Sequence, residues 1–373
     1  MMSLEGIKVL DLSQYVLGHY CTMILGELGA EIIKVEQPPR PGLMGKRTSF
    51  EREFLVNRNK KSIGLNLKKD EGREVFYRLT RKADVIFEGF RPGVVKRLGV
   101  DYETVRKVNP RIVYCSLSGY GQYGPYRDLV GHDINYVAMG GILSLLEGMP
   151  PLNLVGDLAG GSLFSVIGIL AALLGCERTG VGQYIDVAIL DGVISLASWL
   201  TRMSEEELME YKGTPYYNMY KTKDNKYISI GCIEPHFWEN LCRALNRDDL
   251  ISHQHDENKR TEIFSIFQEI FRTKSRDEWL ELLRQRDVCV APVYTLEEMF
   301  SDAHVIRRGM VMDVEHPALG SVKQIGPAIK FSNAPAQIWR SPPKPGEHTD
   351  EILTELGYTG DEVSQLRQIG AVS

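Results

Sequence analysis

Short runs rich in Val, Ile and Leu recur along the first 120 residues, and stretches with helical spacing separate them. The order is IKVLDLS, YCTMILGELG, EIIKVEQ, then SIGLNL, EGREVFYRLTRKA, DVIFEGF and RIVYCSLS. This alternation predicts an α/β fold: βαβ units around a mostly parallel sheet, with helices on both faces. In such Rossmann-like sheets, ligands gather at the carboxyl ends of the strands. From Gly131 to Trp199 the pattern turns helical and apolar. Its most apolar stretch, LFSVIGILAALLGC, has 14 residues, short of the roughly 20 that span a bilayer, and is expected to be a buried helix.

Beyond Trp199 the character changes. SEEELMEYKG is charged and helical, and YNMYKTKDNKYISIGCI reads as a hairpin turning at Asp224-Asn225. Amphipathic stretches follow over Phe237 to Leu245, Thr261 to Phe271 and Arg276 to Gln285. The expected organisation is a large Rossmann-like domain over 1–200 completed by 325–373, and a small α+β domain over 216–305. Linkers are expected over 201–215 and 306–324.

Composition narrows the function. With 373 residues, 43% hydrophobic and 25% charged, and a net charge of −5, the chain reads as globular. The acidic balance argues against nucleic acid or an anionic membrane as a general partner. Six cysteines (Cys21, Cys115, Cys176, Cys232, Cys242, Cys289) stand singly with no metal-type spacing, so no metal site is expected and they read as reduced thiols. The start, MMSLEGIKVLDLS, shows no basic and apolar leader, and a cytoplasmic setting is expected.

GYGQYG (Gly119, Gly121, Gly124) matches a dinucleotide fingerprint in letters only. Pro125 stands where a helix should begin, so a glycine turn is expected. Residues 40–69 hold nine Lys or Arg (Arg40, Lys46, Arg47, Arg52, Arg58, Lys60, Lys61, Lys68, Lys69) against Glu51 and Glu53. Such a segment is either a solvated basic face or a site for a polyphosphorylated ligand.

Three places carry candidate chemistry. In GHDINY, His132 follows Gly131 and precedes Tyr136 by four positions, the spacing of one helix face. In VGDLAGG, Asp157 follows Gly156 at the start of the long apolar helix. There it would either cap the helix or act as an ionised group, with backbone N–H groups aimed at a developing oxyanion. In GCIEPH, Glu234 precedes a proline, which is also an ordinary helix start.

Together these segments resemble the CaiB/BaiF family, which unites the class III CoA-transferases with the α-methylacyl-CoA racemases. NRNKKSIGLNLK, ADVIFEGFRPGVVKRLG, NPRIVYCSLSGYGQYGP, GHDINY, PPLNLVGDLAGG, GQYIDVAILDG, CVAPVYTLEEM and GEHTDEIL carry the likeness. The resemblance implies a coenzyme A thioester as substrate, no separate cofactor, and an interlocked homodimer. Its active sites lie between the large domain of one subunit and the small domain of the other. It also implies two alternative roles for Asp157: a nucleophile that carries an acyl group in the transferases, or a base in the racemases. His132, with Glu234 and PPLNLVGD, matches the racemase pattern. The implied activity is therefore inversion of a 2-methylacyl-CoA by two-base proton transfer through an enolate, with acyl-CoA:acid CoA transfer as the alternative. Glu234 would orient and polarise His132. Implied CoA contacts are Leu65, Asn66, Glu88, Gly89, Phe90, Arg91 and Arg97, with Gly131, Tyr136 and Gly156 on the acyl side. Two departures stand out: Gln37 occupies a place where many relatives have a CoA-contacting arginine, and the loop VAMGGILSLLEGM is short.

Overall fold

The computed structural model describes residues 2–38, 55–145, 150–204, 207, 213–316 and 320–373. The chain divides into two compact units: Met1–Ser198 with Arg308–Ser373, and Trp199–Arg307.

Six strands form the sheet of the first unit: β1 (Lys8–Asp11), β2 (Glu31–Glu36), β3 (Lys60–Gly64), β4 (Val85–Glu88), β5 (Val113–Ser118) and β6 (Tyr184–Ala188). All pairings are parallel, in the order β3-β2-β1-β4-β5-β6. This is the doubly wound order, whose winding reverses between β1 and β4 and leaves a crevice at their carboxyl ends. The strands read as continuous apolar runs because successive side chains enter opposite cores. Val9, Val85, Phe87, Val113 and Cys115 pack with the helices Val16–Glu27 and Phe164–Thr179. Leu10, Ile86 and Tyr114 pack on the other face with the helices Asp70–Lys82 and Thr349–Glu355. Truncating a buried ring such as Phe87 to alanine costs about 3–5 kcal/mol in such cores.

The apolar run expected as a buried helix is longer and less enclosed. A π-helical stretch, Leu154–Leu163, runs directly into the α-helix Phe164–Thr179. Val166, Ile169, Ala172 and Cys176 face the sheet, but Ile167 and Leu174 are 60% and 55% exposed. The joined run of 26 residues is long and apolar enough to cross a membrane by length and composition. Its buried stripe is nevertheless part of the sheet's own core.

The second unit is an antiparallel sheet of β7 (Tyr217–Lys221), β8 (Tyr227–Gly231) and β9 (Val290–Val293). Asn225 takes the left-handed conformation (φ 61°) at the expected hairpin turn. The helices Pro235–Ala244, Arg260–Phe271 and Arg276–Arg284 cover it, burying Trp238, Phe267, Phe271 and Trp279 with Tyr220 and Ile228. The segment 306–324, expected as a linker, carries most of an antiparallel hairpin of β10 (Val311–His316) and β11 (Gly320–Ile325), which belongs to the first unit. The six cysteines are unpaired, and only Cys289 is not buried.

Candidate active site

A cleft of about 460 Å³ opens at the carboxyl ends of β1 to β4. Its wall includes Leu12, Ser13 and Gln14 after β1, Gln37 after β2, Leu65 to Lys68 after β3, and Phe90, Val94 and Leu98 after β4. Of the expected CoA contacts, Leu65, Asn66 and Phe90 line this cleft. The chain's last residues hold the first two: Leu65 bridges to Val372, and Asn66 bonds through its N–H to Ala371 O (2.8 Å) and through its amide to Gly370 O (3.2 Å). Gly89 is half-buried, and Arg91 and Arg97 are exposed beyond β4. Glu88 differs from expectation. It is buried within the sheet, accepts the Ser116 hydroxyl and the Phe90 N–H (2.7 Å), and is not part of the cleft wall. Burial pushes its carboxyl up to about 7 against those hydrogen bonds.

The basic segment reads differently in three dimensions. Arg40, Lys46, Arg47 and Arg52 lie outside the described residues. Arg58 is buried against Glu27 (Nε–Oε1 2.9 Å), and Lys61 reaches Glu31, Glu351 and Glu355 at 3.4, 2.7 and 3.1 Å. Lys60 is enclosed beside Asp11 (3.1 Å) and Asn57. These three cations are engaged by carboxylates from elsewhere in the chain. Lys68, exposed on the cleft wall, is the described lysine of the segment best placed to meet a phosphate.

Sequence reasoning missed the polar floor of the cleft. Asp11 accepts from Ser13 Oγ (2.5 Å), Thr22 Oγ1 (2.6 Å) and Lys60 Nζ, while His19 Nδ1 lies 3.0 Å from Ser13 Oγ. Burial alone would raise the Asp11 carboxyl, but Lys60, His19 and the two hydroxyls outweigh it and hold it near 2. Ser13, His19 and Asn57 present this network to the cleft.

The second focus surrounds Asp157. The helix does not begin at this residue: Asn153 (φ 57°) is the cap, and Asp157 falls inside the π turn, whose Leu158 N–H reaches back five residues to Asn153 O (3.0 Å). Asp157 donates its own N–H to Asp133 Oδ1 (2.8 Å), and its Oδ2 accepts from Asn153 Nδ2 (2.9 Å). The expected oxyanion donors at this helix start are therefore engaged at Asp157 and Leu158. π-Turns are frequent at functional sites. Here the turn aims a carboxylate while its peptide is held by a second carboxylate. Asp157 is 7% exposed. Burial, then the neighbouring Asp133 charge, push it up to about 6, with His132 acting in the opposite sense.

His132 is not on a face shared with Tyr136. It caps the helix Asp133–Met139 in an extended conformation (φ −130°, ψ 174°), donates its N–H to Asn135 Oδ1 (2.9 Å), and is exposed. Tyr136 is buried, edge-on to Tyr120 at 5.1 Å. Burial, Tyr120 and Asp157 raise its hydroxyl to about 12, against the pull of Arg91. The glycines there are matters of space: a Cβ on Gly156 would stand 2.7 Å from Asp133 Oδ1, and one on Gly131 would stand 2.9 Å from the Tyr136 ring. Ser162 Oγ, 2.6 Å from Leu17 O, ties the π turn to the helix that follows the cleft's first loop. The structure thus brings His132, Asp133, Tyr136, Gly156 and Asp157 together. Glu234 is carried by the second unit, exposed, as the residue before Pro235 at the start of its helix. The GYGQYG segment is a turn, with Gly121 and Gly124 at φ 88° and 93°.

A doubly wound sheet with a cleft at its switch point defines an α/β protein of the Rossmann-like class, and a buried, raised carboxyl beside a histidine is its candidate chemistry. Residues 4–349 match CoA-transferase family III, and the chain belongs to that family. It is 36% identical to human alpha-methylacyl-CoA racemase over 380 residues, covering 98% of this chain and 96% of the relative. It is also 32% identical to human succinyl-CoA:glutarate CoA-transferase (99% and 90% covered). Against formyl-CoA:oxalate CoA-transferase of Escherichia coli O157:H7 the identity is again 32% (99% of both). The crystal structure of a CAIB/BAIF family protein from Brucella suis superposes with a TM-score of 0.82 at 29% identity, covering 95% of this chain and 99% of that one. Chemistry on CoA thioesters follows at the level of the family.

Proposed function

We propose that this protein is a 2-methylacyl-CoA racemase acting as a homodimer. The observation that carries the reading is the pairing of His132 and Asp157 around Asp133, two titratable groups in one neighbourhood with different surroundings. One base removes the α-proton, and the C–H electron pair moves into the C–C bond as the thioester oxygen becomes an enolate. The conjugate acid of the other base then delivers a proton to the opposite face. An aspartate raised to about 6 is a stronger base than an exposed one and remains mostly ionised at neutral pH. Glu234, supplied by the partner subunit's small unit, orients and polarises His132. The cleft at the switch point takes the CoA moiety, with Lys68 toward a phosphate. Incubating the enzyme with (R)- or (S)-2-methylacyl-CoA in deuterated water tests this reading: α-deuterium incorporation with inversion is expected, and its absence across several acyl chains overturns it.

A second reading is CoA transfer between carboxylic acids. In it, an Asp157 oxygen attacks the thioester carbonyl and expels CoA thiolate, forming an acyl-aspartyl anhydride. The relatives named as transferases favour it. Hydroxylamine trapping during turnover that marks Asp157, together with transfer dependent on an added acid such as succinate, would replace the racemase reading.

A further inference from the structure

The second unit holds the start of the Glu234 helix by an arrangement that the family likeness did not bring forward. β8 ends at Gly231, and after Cys232 N–H bonds to Tyr216 O (2.8 Å) the chain leaves the ladder. The carbonyls of Cys232 and Ile233, immediately before Glu234, then need donors. Both come from one side chain: Gln254 Nε2 donates to Cys232 O at 3.2 Å and to Ile233 O at 2.7 Å. Two carbonyl acceptors also decide which end of the amide faces them, since the amide oxygen would repel both. Gln254 is 9% exposed. A second clamp from the same segment acts on the first turns of the helix, where Trp238 Nε1 donates to Leu250 O (3.3 Å) and Ile251 O (3.0 Å). Glu234 itself is exposed and its side chain makes no cap hydrogen bond. The backbone beneath it sets where its Cα–Cβ bond starts and points, and so the region its carboxylate can reach.

We propose that Gln254 is a positioning residue for Glu234: its carboxamide fixes the Cys232-Ile233 backbone so that the Glu234 carboxylate is presented to its partner group in one geometry. This rests on the role proposed above for Glu234. A polar pair of bonds in the interior of the small unit, directed at the peptides before one exposed acid, gives the site rigidity without touching substrate. Misplacement of a catalytic group by about 1 Å costs on the order of a hundredfold in rate, so loss of the amide falls on kcat rather than on substrate binding.

The test compares Gln254→Leu, Gln254→Glu, Glu234→Gln and the double variant Gln254→Leu/Glu234→Gln, in the full-length protein, by deuterium exchange and inversion of a 2-methylacyl-CoA. Gln254→Leu is expected to lower kcat about tenfold or more with KM near that of the wild type. In the Glu234→Gln background the same change is expected to add less than about twofold, because the group it positions has already been altered. Gln254→Glu serves if the leucine variant does not fold. Protonated, its carboxyl donates one bond to the carbonyls, so its activity relative to the wild type is expected to rise as pH falls. If Glu234→Gln inverts substrate at the wild-type rate, the role of Glu234 fails and the positioning role with it. If Glu234→Gln is slow but both Gln254 variants are as active as the wild type, or the two defects multiply in the double variant, the positioning role alone is overturned.

Discussion

The backbone N–H of Asp157 donates to the Asp133 carboxylate at 2.8 Å, which sets a second negative charge against the buried candidate base. Asp133 thereby does two things at once: it holds the π turn in place and it raises its neighbour's affinity for a proton. Asp133→Asn keeps a carbonyl oxygen able to accept that N–H but removes the charge. The Asp157 carboxyl is then expected to titrate at a lower pH, moving the acidic limb of the kcat/KM profile the same way. Asp133→Ala removes the acceptor as well and is expected to cost about 1–3 kcal/mol of stability. A pH–rate profile beside a denaturant titration separates the two effects.

Asp157 makes its own prediction about stability. Its folded value, near 6, lies above the usual 3.8, so the native state binds more protons than the unfolded chain between those pH values. The proton-linked stabilisation is complete below about pH 4 and is lost as pH rises through about 6. Asp157→Asn, neutral throughout and still able to accept from Asn153, is expected to be more stable than the wild type at pH 7–8. The gain is about 2 kcal/mol, from two pKa units at 1.36 kcal/mol each less relaxation, and it disappears near pH 3.5. Thermal unfolding across that range checks the sign, and loss of inversion in the same variant checks the chemistry.

Gly156 has no room for a side chain. A methyl group there meets Asp133 Oδ1 at 2.7 Å, so Gly156→Ala is expected to push the π turn off the Asp133 carboxylate. The expected cost is about 1–3 kcal/mol, with a larger proportional loss of kcat than of substrate affinity. Steady-state kinetics and a melting curve give both numbers.

The lysines in β3 and just after it divide by function. Lys68→Gln is expected to weaken CoA binding severalfold and to reduce its salt dependence, because an exposed cation on the cleft wall acts through a screened field. Lys61→Gln, which breaks contacts to Glu31, Glu351 and Glu355, is expected to lower the melting temperature and leave CoA affinity near that of the wild type. Calorimetric titration with CoA at two ionic strengths distinguishes them.

If Glu234 serves His132 across a dimer, co-expressing His132→Ala with Glu234→Ala produces heterodimers in which one site carries both lesions and the other carries neither. Recovery of activity is expected from two individually inactive variants. Verified heterodimers without recovery place the pair within one chain.

The sheet was legible because its physics is local. Val, Ile and Leu runs such as Val85 to Phe87 bury both faces of a strand, and the Asp224-Asn225 turn shows in its residue types even though the Arg276 N–H also holds Asp224. His132 and Asp157 were legible as residue types within motifs. What was not legible depends on partners far apart along the chain. Lys60 meets Asp11, Arg58 meets Glu27, and Lys61 meets Glu351 and Glu355 only after folding, so a basic run looked available when much of its described part is not. The task of Asp133 is hidden for a related reason. Beside His132 it reads as an acid in a first helical turn, and only the return of the chain at Gly156 and Asp157 gives its carboxylate a task. The cap, one of two readings of Asp157, falls instead on Asn153, and an N–H reaching back five residues has no signature in residue spacing alone.

The bridge from Leu65 to Val372 also sets an order of events during synthesis. The first unit is drawn from two stretches of chain, and the whole of Trp199–Arg307 is made between them. The second unit has its own sheet and core, and all of its residues are made while β3 still waits for the helix Thr349–Glu355 and the residues that hold Asn66. Contacts between such distant stretches are the slowest to form, because a long loop must close before they are made. A nascent chain released before Gly370 to Val372 emerge therefore carries a cleft with one wall unsecured.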